Sequence, residues 1–277
     1  MSAPVLTPSE GTDELVLEWD QNTGQLVPAA NAGGTLLVAE SWLIDNGAVR
    51  AIERHWQRFA HGCAEATHFA SGALTKFWTQ TLAAMPRAGR WFPRIEVAHG
   101  PEQRMRLRLR PAPTTAGDLR VWISDSPDPR LFPQRKGPDL QRLLDLRERA
   151  AEHGAEEALI TTLEGTVIEG ARSSVMWWEG DRLCFPARDL PLLPAVTSKL
   201  VREIAGVHGH PVAYRRVNVS DLDGREVWFT SALNGIRPVT EWVGAPIKAG
   251  AAVRAEQWRT ILDRLALPLP ETKAVWR

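Results

Sequence analysis

The chain has 277 residues, enough for one large domain or two medium ones, and its composition is that of an ordinary folded protein, 44% hydrophobic and 24% charged. Thirty-three basic residues balance 33 acidic ones, so the basic excess of a nucleic-acid or anionic-membrane binder is missing. Two distant cysteines, Cys63 and Cys184, suggest neither a disulfide framework nor a zinc site, and no apolar run approaches a membrane span.

The first twenty residues are acidic and carry no apolar core, so no secretory signal is expected and the cytoplasm is the expected location. The Pro, Ser, Gly and Asn content of the first ~30 residues leans toward a flexible arm, and 1–32 is read as an N-terminal extension. "TLLVAESWLID" (35–45) has strand character, and Asn46-Gly47 signals a hairpin turn. Ile52, Trp56, Phe59, Ala60 and Cys63 then recur at helical spacing. "ALTKFWTQTLAAM" forms a second amphipathic helix, stopped by Pro86 and Gly89. "RIEVAHG" and "RMRLRLR" read as strands. In the second, Met105, Leu107 and Leu109 alternate with Arg104, Arg106, Arg108 and Arg110, and that arginine face is expected to be solvated.

Five prolines in 111–135 mark a connecting segment around a short "VWIS" strand. "PDLQRLLDLRERAAEHG" follows as a helix with Leu140, Leu143, Leu144 and Ala150 on its face and Gly154 at its stop. The remainder is richer in strands. "ALITTL" and "TVIE" flank Glu164-Gly165, and "SVMWW" and "RLCF" flank Gly180-Asp181. "TSKLVREIAGVHG" reads as a helix with Thr197 as its N-cap, "VAYRRV" and "EVWFT" as strands, and "AAVRAEQWRTILDRLAL" as a last helix. The expected fold class is α+β or mixed α/β in two lobes: 33–115, and 136–277 beyond a connection at 116–135. His55 is expected to pack, and His208 and His210 to face solvent. Twelve tryptophans against one tyrosine promise large apolar groups for a core.

Only five of the 33 basic residues are lysines, and one of them, Lys136, stands between Arg135 and a Gly-Pro pair. A desolvated lysine amine sheds its proton and forms a Schiff base with a carbonyl, which an arginine cannot do. A surface loop lysine is the plain alternative. "LLPAVTSKL" (192–200) feeds a helix whose free N–H groups suit a phosphate, or is an ordinary capped helix. Glu169 ends a short strand and is followed by Gly170 and the pair Ser173-Ser174.

Taken together and in order, five segments resemble one family. They are "ESWLIDNGAVRAIERHWQRF", "KGPDLQRLLDLRERAAEHGAEEALI", "EGTVIEGARSSVMWW", "LPLLPAVTSKLV" and "EVWFTSALNGIRPV". From about residue 33 to 245 the chain resembles the fold-type IV pyridoxal-phosphate enzymes. This is the class IV aminotransferase family, with branched-chain and D-amino-acid aminotransferases and aminodeoxychorismate lyase. Lys136 and Glu169 lie 33 residues apart, as that family's pattern requires. The resemblance implies a two-lobed fold and pyridoxal 5′-phosphate as cofactor. It implies that Lys136 forms the Schiff base and shuttles the proton, and that Glu169 pairs with the ring nitrogen. Arg58 would hold the phosphate with help from Val196, Thr197 and Ser231, while Ser173 and Ser174 would lie near the cofactor face. It further implies a homodimer with an amino acid and a 2-oxo acid as substrates. Amino transfer is the leading expectation, elimination of pyruvate the alternative, and a non-catalytic homologue the second alternative. Four positions depart from the family: Ser174 replaces its Asn, Ala195 its Gly, Ser198 its Arg, and Gln141 stands where branched-chain members carry a tyrosine.

Overall fold

The computed structural model describes residues 14–30, 33–100, 102–114 and 117–271. The chain divides into two compact units. Unit one comprises the described residues of Met1–Thr114, Arg135–Pro138 and Leu265–Arg277, and unit two those of Thr115–Gln134 and Asp139–Arg264.

Unit one carries strands β1 (Leu15–Asp20), β2 (Gln25–Pro28), β3 (Thr35–Ser41), β4 (Ile44–Asp45), β5 (Ala48–Arg50), β6 (Arg90–Trp91), β7 (Arg94–His99) and β8 (Arg104–Leu109), and helices α1 (Ile52–Ala66) and α2 (Ser71–Ala83). Five of these strands form one antiparallel sheet in the order β2-β1-β8-β7-β3. The expected strand over 35–45 is therefore two, β3 in this sheet and β4 in a smaller one. Asn46 and Gly47, both at positive φ (46° and 77°), turn the chain tightly from β4 into β5. The expected N-terminal extension contributes β1 and β2 to the large sheet; residues 1–13 and 31–32 lie outside the described residues.

The two faces of this sheet follow from the period-2 alternation. Leu17, Ile95, Val97, Met105 and Leu107 share a buried cluster with Trp42, Phe59, Phe77 and Trp78, α1 packing on β3. The arginine face is not solvated as expected. Arg106 is buried and bonds Glu18 and the Gly33 carbonyl, while Arg108 bonds Glu96 and Glu14. Arg94 also bonds Glu96. Cross-strand neighbours of opposite charge are what allow arginines to leave water here.

Unit two carries β9 (Leu119–Ile123), β10 (Glu157–Thr161), β11 (Val167–Gly170), β12 (Ser174–Glu179), β13 (Arg182–Pro186), β14 (Val212–Arg215), β15 (Val227–Ser231) and β16 (Gly235–Val243), and helices α3 (Leu140–Glu152), α4 (Val196–Val207) and α5 (Ala255–Asp263). Its sheet is mixed, in the order β11-β10-β9-β16-β15-β12-β13-β14. β9 lies inside the expected connecting segment but pairs parallel to both β10 and β16, so that segment is part of the sheet. On α3 the buried residues are Leu146 and Ala150, while Leu140, Leu143 and Leu144 are half-buried. The last helix is shorter than expected. It ends at Asp263, and the next residues form β17 (Ala266–Pro268), which pairs with β5 in unit one.

The tryptophans sit where bulk is needed. Trp42, Trp56 and Trp78 meet at 5.1 and 5.3 Å in unit one, and Trp178, Trp228 and Trp258 at 5.2–5.5 Å in unit two. Each such ring buries roughly 150–250 Å² and packs edge or tilted rather than face to face.

Candidate active site

Lys136 belongs to unit one, not to the second lobe expected for it, because its backbone is tied to β3. The Ala39 amide donates to the Lys136 carbonyl at 2.8 Å. The next residue permits this approach. Gly137 has φ 129°, and a Cβ there would lie 2.6 Å from the Ala39 nitrogen and 2.7 Å from the Val38 carbonyl carbon. Gly137→Ala is therefore expected to cost about 2–4 kcal/mol through backbone strain and overpacking. Denaturant unfolding checks this, and an unchanged midpoint would contradict it.

The amine of Lys136 meets a buried carboxylate. Glu40, near the end of β3 between Ala39 and Ser41, is fully buried. Its Oε1 accepts from Lys136 Nζ at 3.3 Å, from Arg58 Nη2 at 2.7 Å, from His55 Nδ1 at 3.0 Å and from the Ser41 amide at 2.9 Å. Arg58 Nε completes a bidentate fork on Oε2 at 2.7 Å. His55 and Arg58 lie three apart on α1, so one helical face delivers both. Burial pushes the Glu40 carboxyl upward, but Arg58 and Lys136 outweigh it and hold it well below the carboxylate range. Burial lowers His55, leaving a neutral ring whose Nδ1–H donates to Glu40. Burial also lowers the Lys136 amine, to about 8, against the opposing pull of Glu40. A neutral nucleophilic amine is thus accessible close to neutral pH.

Unit two holds a second buried cluster. Glu169 on β11 is 5% exposed. Its Oε1 accepts from Arg130 Nη1 in a short contact and from the Leu193 amide at 3.1 Å. Burial raises its carboxyl to about 7, opposed by Arg130 and the Leu193 N–H. Arg130 also grips Asp128 through Nε and Nη2 at 2.8 and 2.6 Å, and its Nη2 donates to the Pro191 carbonyl at 3.0 Å. The loop 191–195 that feeds α4 is thereby stitched to Glu169. Gly170 is required beside it, since a Cβ there would lie 2.5 Å from Ser173 Oγ and 2.8 Å from the Phe229 ring.

Val196 and Thr197 are buried in the first turn of α4. The expected N-cap at Thr197 is Ala195 instead, and no side chain caps the helix. Ala195 has φ −82° and ψ 128°, an extended conformation open to any residue, so the absence of the family's glycine costs no backbone strain. Ser198 is half-buried in the same turn. Ser173 donates to Glu157 Oε2 at 2.6 Å, and Ser231 Oγ accepts from the Asn234 amide at 3.1 Å. Ser174 pairs across the sheet with Thr230, whose hydroxyl is buried without a partner among the described residues. Gln141 is exposed and bonds Asp145 one turn along α3. His210 packs against Trp178 and Trp258, and His208 lies near Trp258. The sequence reading did not select Glu40, Arg130 or Asp128. Glu40 had one visible sign, a carboxylate inside an apolar strand run.

Residues 37–242 match the model of the amino-transferase class IV family. A 129-residue stretch is 26% identical to a bifunctional aminodeoxychorismate lyase / D-amino acid transaminase of Mycobacterium tuberculosis. That match spans 44% of this chain and 42% of the relative, so less than half of the relative's length is covered. A hypothetical aminotransferase from Mycobacterium tuberculosis, with α-ketoglutarate and PMP bound, has a similar fold at TM-score 0.77 and 18% identity, over 91% of this chain and 98% of that one. The branched-chain amino acid aminotransferase of Escherichia coli is similar at TM-score 0.77 and 15% identity, over 96% and 98%. At these identities the two structures speak for the fold.

Proposed function

The chain belongs to the class IV amino-transferase family, and we propose that it is a pyridoxal-phosphate enzyme that moves an amino group between an amino acid and a 2-oxo acid. The observation that carries the proposal is the Lys136 amine, set against buried Glu40 and lowered to about 8. When bound, the cofactor supplies a cationic ring that takes up the electrons left when the substrate loses its α-proton.

The charges of both clusters fit that group. Around Glu40 two cations, Arg58 and Lys136, meet at one carboxylate, and donors of that charge suit an anionic phosphate. Around Arg130 two carboxylates, Asp128 and Glu169, share one cation, which leaves room for a protonated ring nitrogen. Lys136 would hold the cofactor covalently and then, once released, carry a proton from and to the substrate carbon. Glu40 anchors the amine for both tasks, and His55 and Arg58 keep Glu40 ionised. Glu169 would pair with the ring nitrogen. Arg58, the first-turn amides of Val196 and Thr197, and Ser231 would hold the phosphate. Ser173 and Ser174 would stand beside the ring. We also propose a cytoplasmic homodimer, on the family resemblance; no helix among the described residues is long and apolar enough to cross a membrane.

A second reading has its own support. The curated relative is named for a lyase as well as a transaminase. Both reactions begin with removal of the α-proton and diverge afterwards, so Lys136 serves either. The test is a panel of amino donors and 2-oxo acids alongside aminodeoxychorismate. Keto-acid exchange is the expected outcome. Pyruvate release alone would favour the lyase, and neither product would favour a homologue that kept the fold without the chemistry.

A further inference from the structure

The Arg130 guanidinium is built into unit two with little freedom. Its side chain is 4% exposed. Nε and Nη2 form a fork on Asp128, Nη2 reaches the Pro191 carbonyl, and Nη1 is left to meet Glu169. Asp128 Oδ1 in turn accepts from the Arg130 amide at 3.0 Å, so the residue is clamped at backbone and side chain alike. The Leu193 N–H lands on the same oxygen of Glu169 as Arg130 does, Oε1. Asp128, Arg130 and the Leu193 N–H are the groups that act on this carboxylate. Two fixed donors on one oxygen orient the carboxyl plane and direct Oε2 elsewhere.

We propose that Arg130 is a positioning residue for Glu169, fixing its rotation through Oε1 so that Oε2 is presented to the cofactor's ring nitrogen. The inference rests on the functional reading above. Arg130 acts through Glu169, so its effect on the cofactor vanishes when Glu169 can no longer carry charge. A second consequence concerns pH. Burial already pushes Glu169 up to about 7 while Arg130 pulls it down, so loss of the arginine moves the carboxyl higher still.

The experiment is a double-mutant cycle read by binding. Apoprotein is titrated with pyridoxal 5′-phosphate for wild type, R130M, R130K, E169Q and R130M/E169Q, across a pH series. R130M is expected to weaken binding on the order of tenfold to a hundredfold, the worth of a hydrogen bond to a charged group. Its pH midpoint for binding is expected to shift upward, with partial return in R130K, which restores the charge without the fork. On the E169Q background, R130M is expected to change binding by less than about twofold. That comparison also stands if R130M alone folds poorly, because the double variant removes both charges together. An equal loss on both backgrounds, or no loss on wild type, would overturn the proposal. A wild-type protein that takes up no cofactor would overturn the functional reading and this inference with it. Uptake by wild type with R130M unaffected would overturn the inference alone.

Discussion

Replacing Lys136 with arginine is expected to lower turnover on the order of a thousandfold or more, although the charge next to Glu40 is kept. Arginine stays protonated at any pH the fold survives, so it neither bonds a carbonyl carbon nor shuttles a proton. The substitution separates two roles that Lys136 fills at once. As a counter-charge to Glu40 it is replaceable by arginine, and thermal stability should change little. As a neutral amine it is not. Steady-state kinetics with the best donor from the substrate panel, set beside a melting curve, reads both. A Lys136→Arg protein with near-normal turnover would remove Lys136 from the chemistry.

Glu40→Gln is expected to produce the largest loss of stability, about 3–5 kcal/mol, the usual effect of removing one partner from a buried ionic cluster. Glutamine keeps the volume and removes the carboxylate charge that both Arg58 and Lys136 contact. The loss should depend on pH in a definite direction. In the folded protein the Lys136 amine has its midpoint at about 8, below its ordinary 10.5. Between these values the unfolded chain holds a proton that the folded chain has released, so stability attributable to this group rises with pH across that window. Glu40 raises the amine's midpoint, so its removal lowers that midpoint below 8. The penalty of Glu40→Gln should then be greatest where the amine must still be charged and shrink in alkaline solution. Urea unfolding on both sides of the midpoint checks this, together with the pH dependence of amine acylation at Lys136. A penalty that grows with pH would contradict the assignment of Glu40 as the amine's anchor.

The helices and most strands were legible because one periodic stripe decides each of them. Ile52, Trp56, Phe59 and Cys63 are buried on α1 as their spacing predicts. The split of 35–45 into β3 and β4 was not legible, since Trp42 and Leu43 between them are apolar and no turn residue breaks the run. The arginine face of β8 shows the same limit. Alternation fixed which side each arginine takes, but whether that side meets water depends on Glu18 and Glu96 in the two strands that flank β8 in the sheet. Of the candidate site, the sequence drew attention to Lys136-Gly137 and Glu169-Gly170, where a local motif could carry chemistry. It was not legible where charges meet through the fold. Glu40, His55, Arg58 and Lys136 come from three segments, and Arg130 and Glu169 lie 39 residues apart. His55, expected only to pack, does pack against Trp42 but also bonds Glu40, and no sequence pattern distinguishes those two situations.

In the proposed function the cofactor is carried on Lys136. Borohydride reduction of the pyridoxal-phosphate-loaded protein, followed by digestion and mass analysis of the peptides, tests it most directly. A near-visible absorption band is expected to be lost, with the cofactor's added mass on the peptide containing Lys136 and on none in Lys136→Arg. Added mass on any of the other four lysines, or a loaded protein that retains no mass after reduction, would contradict it.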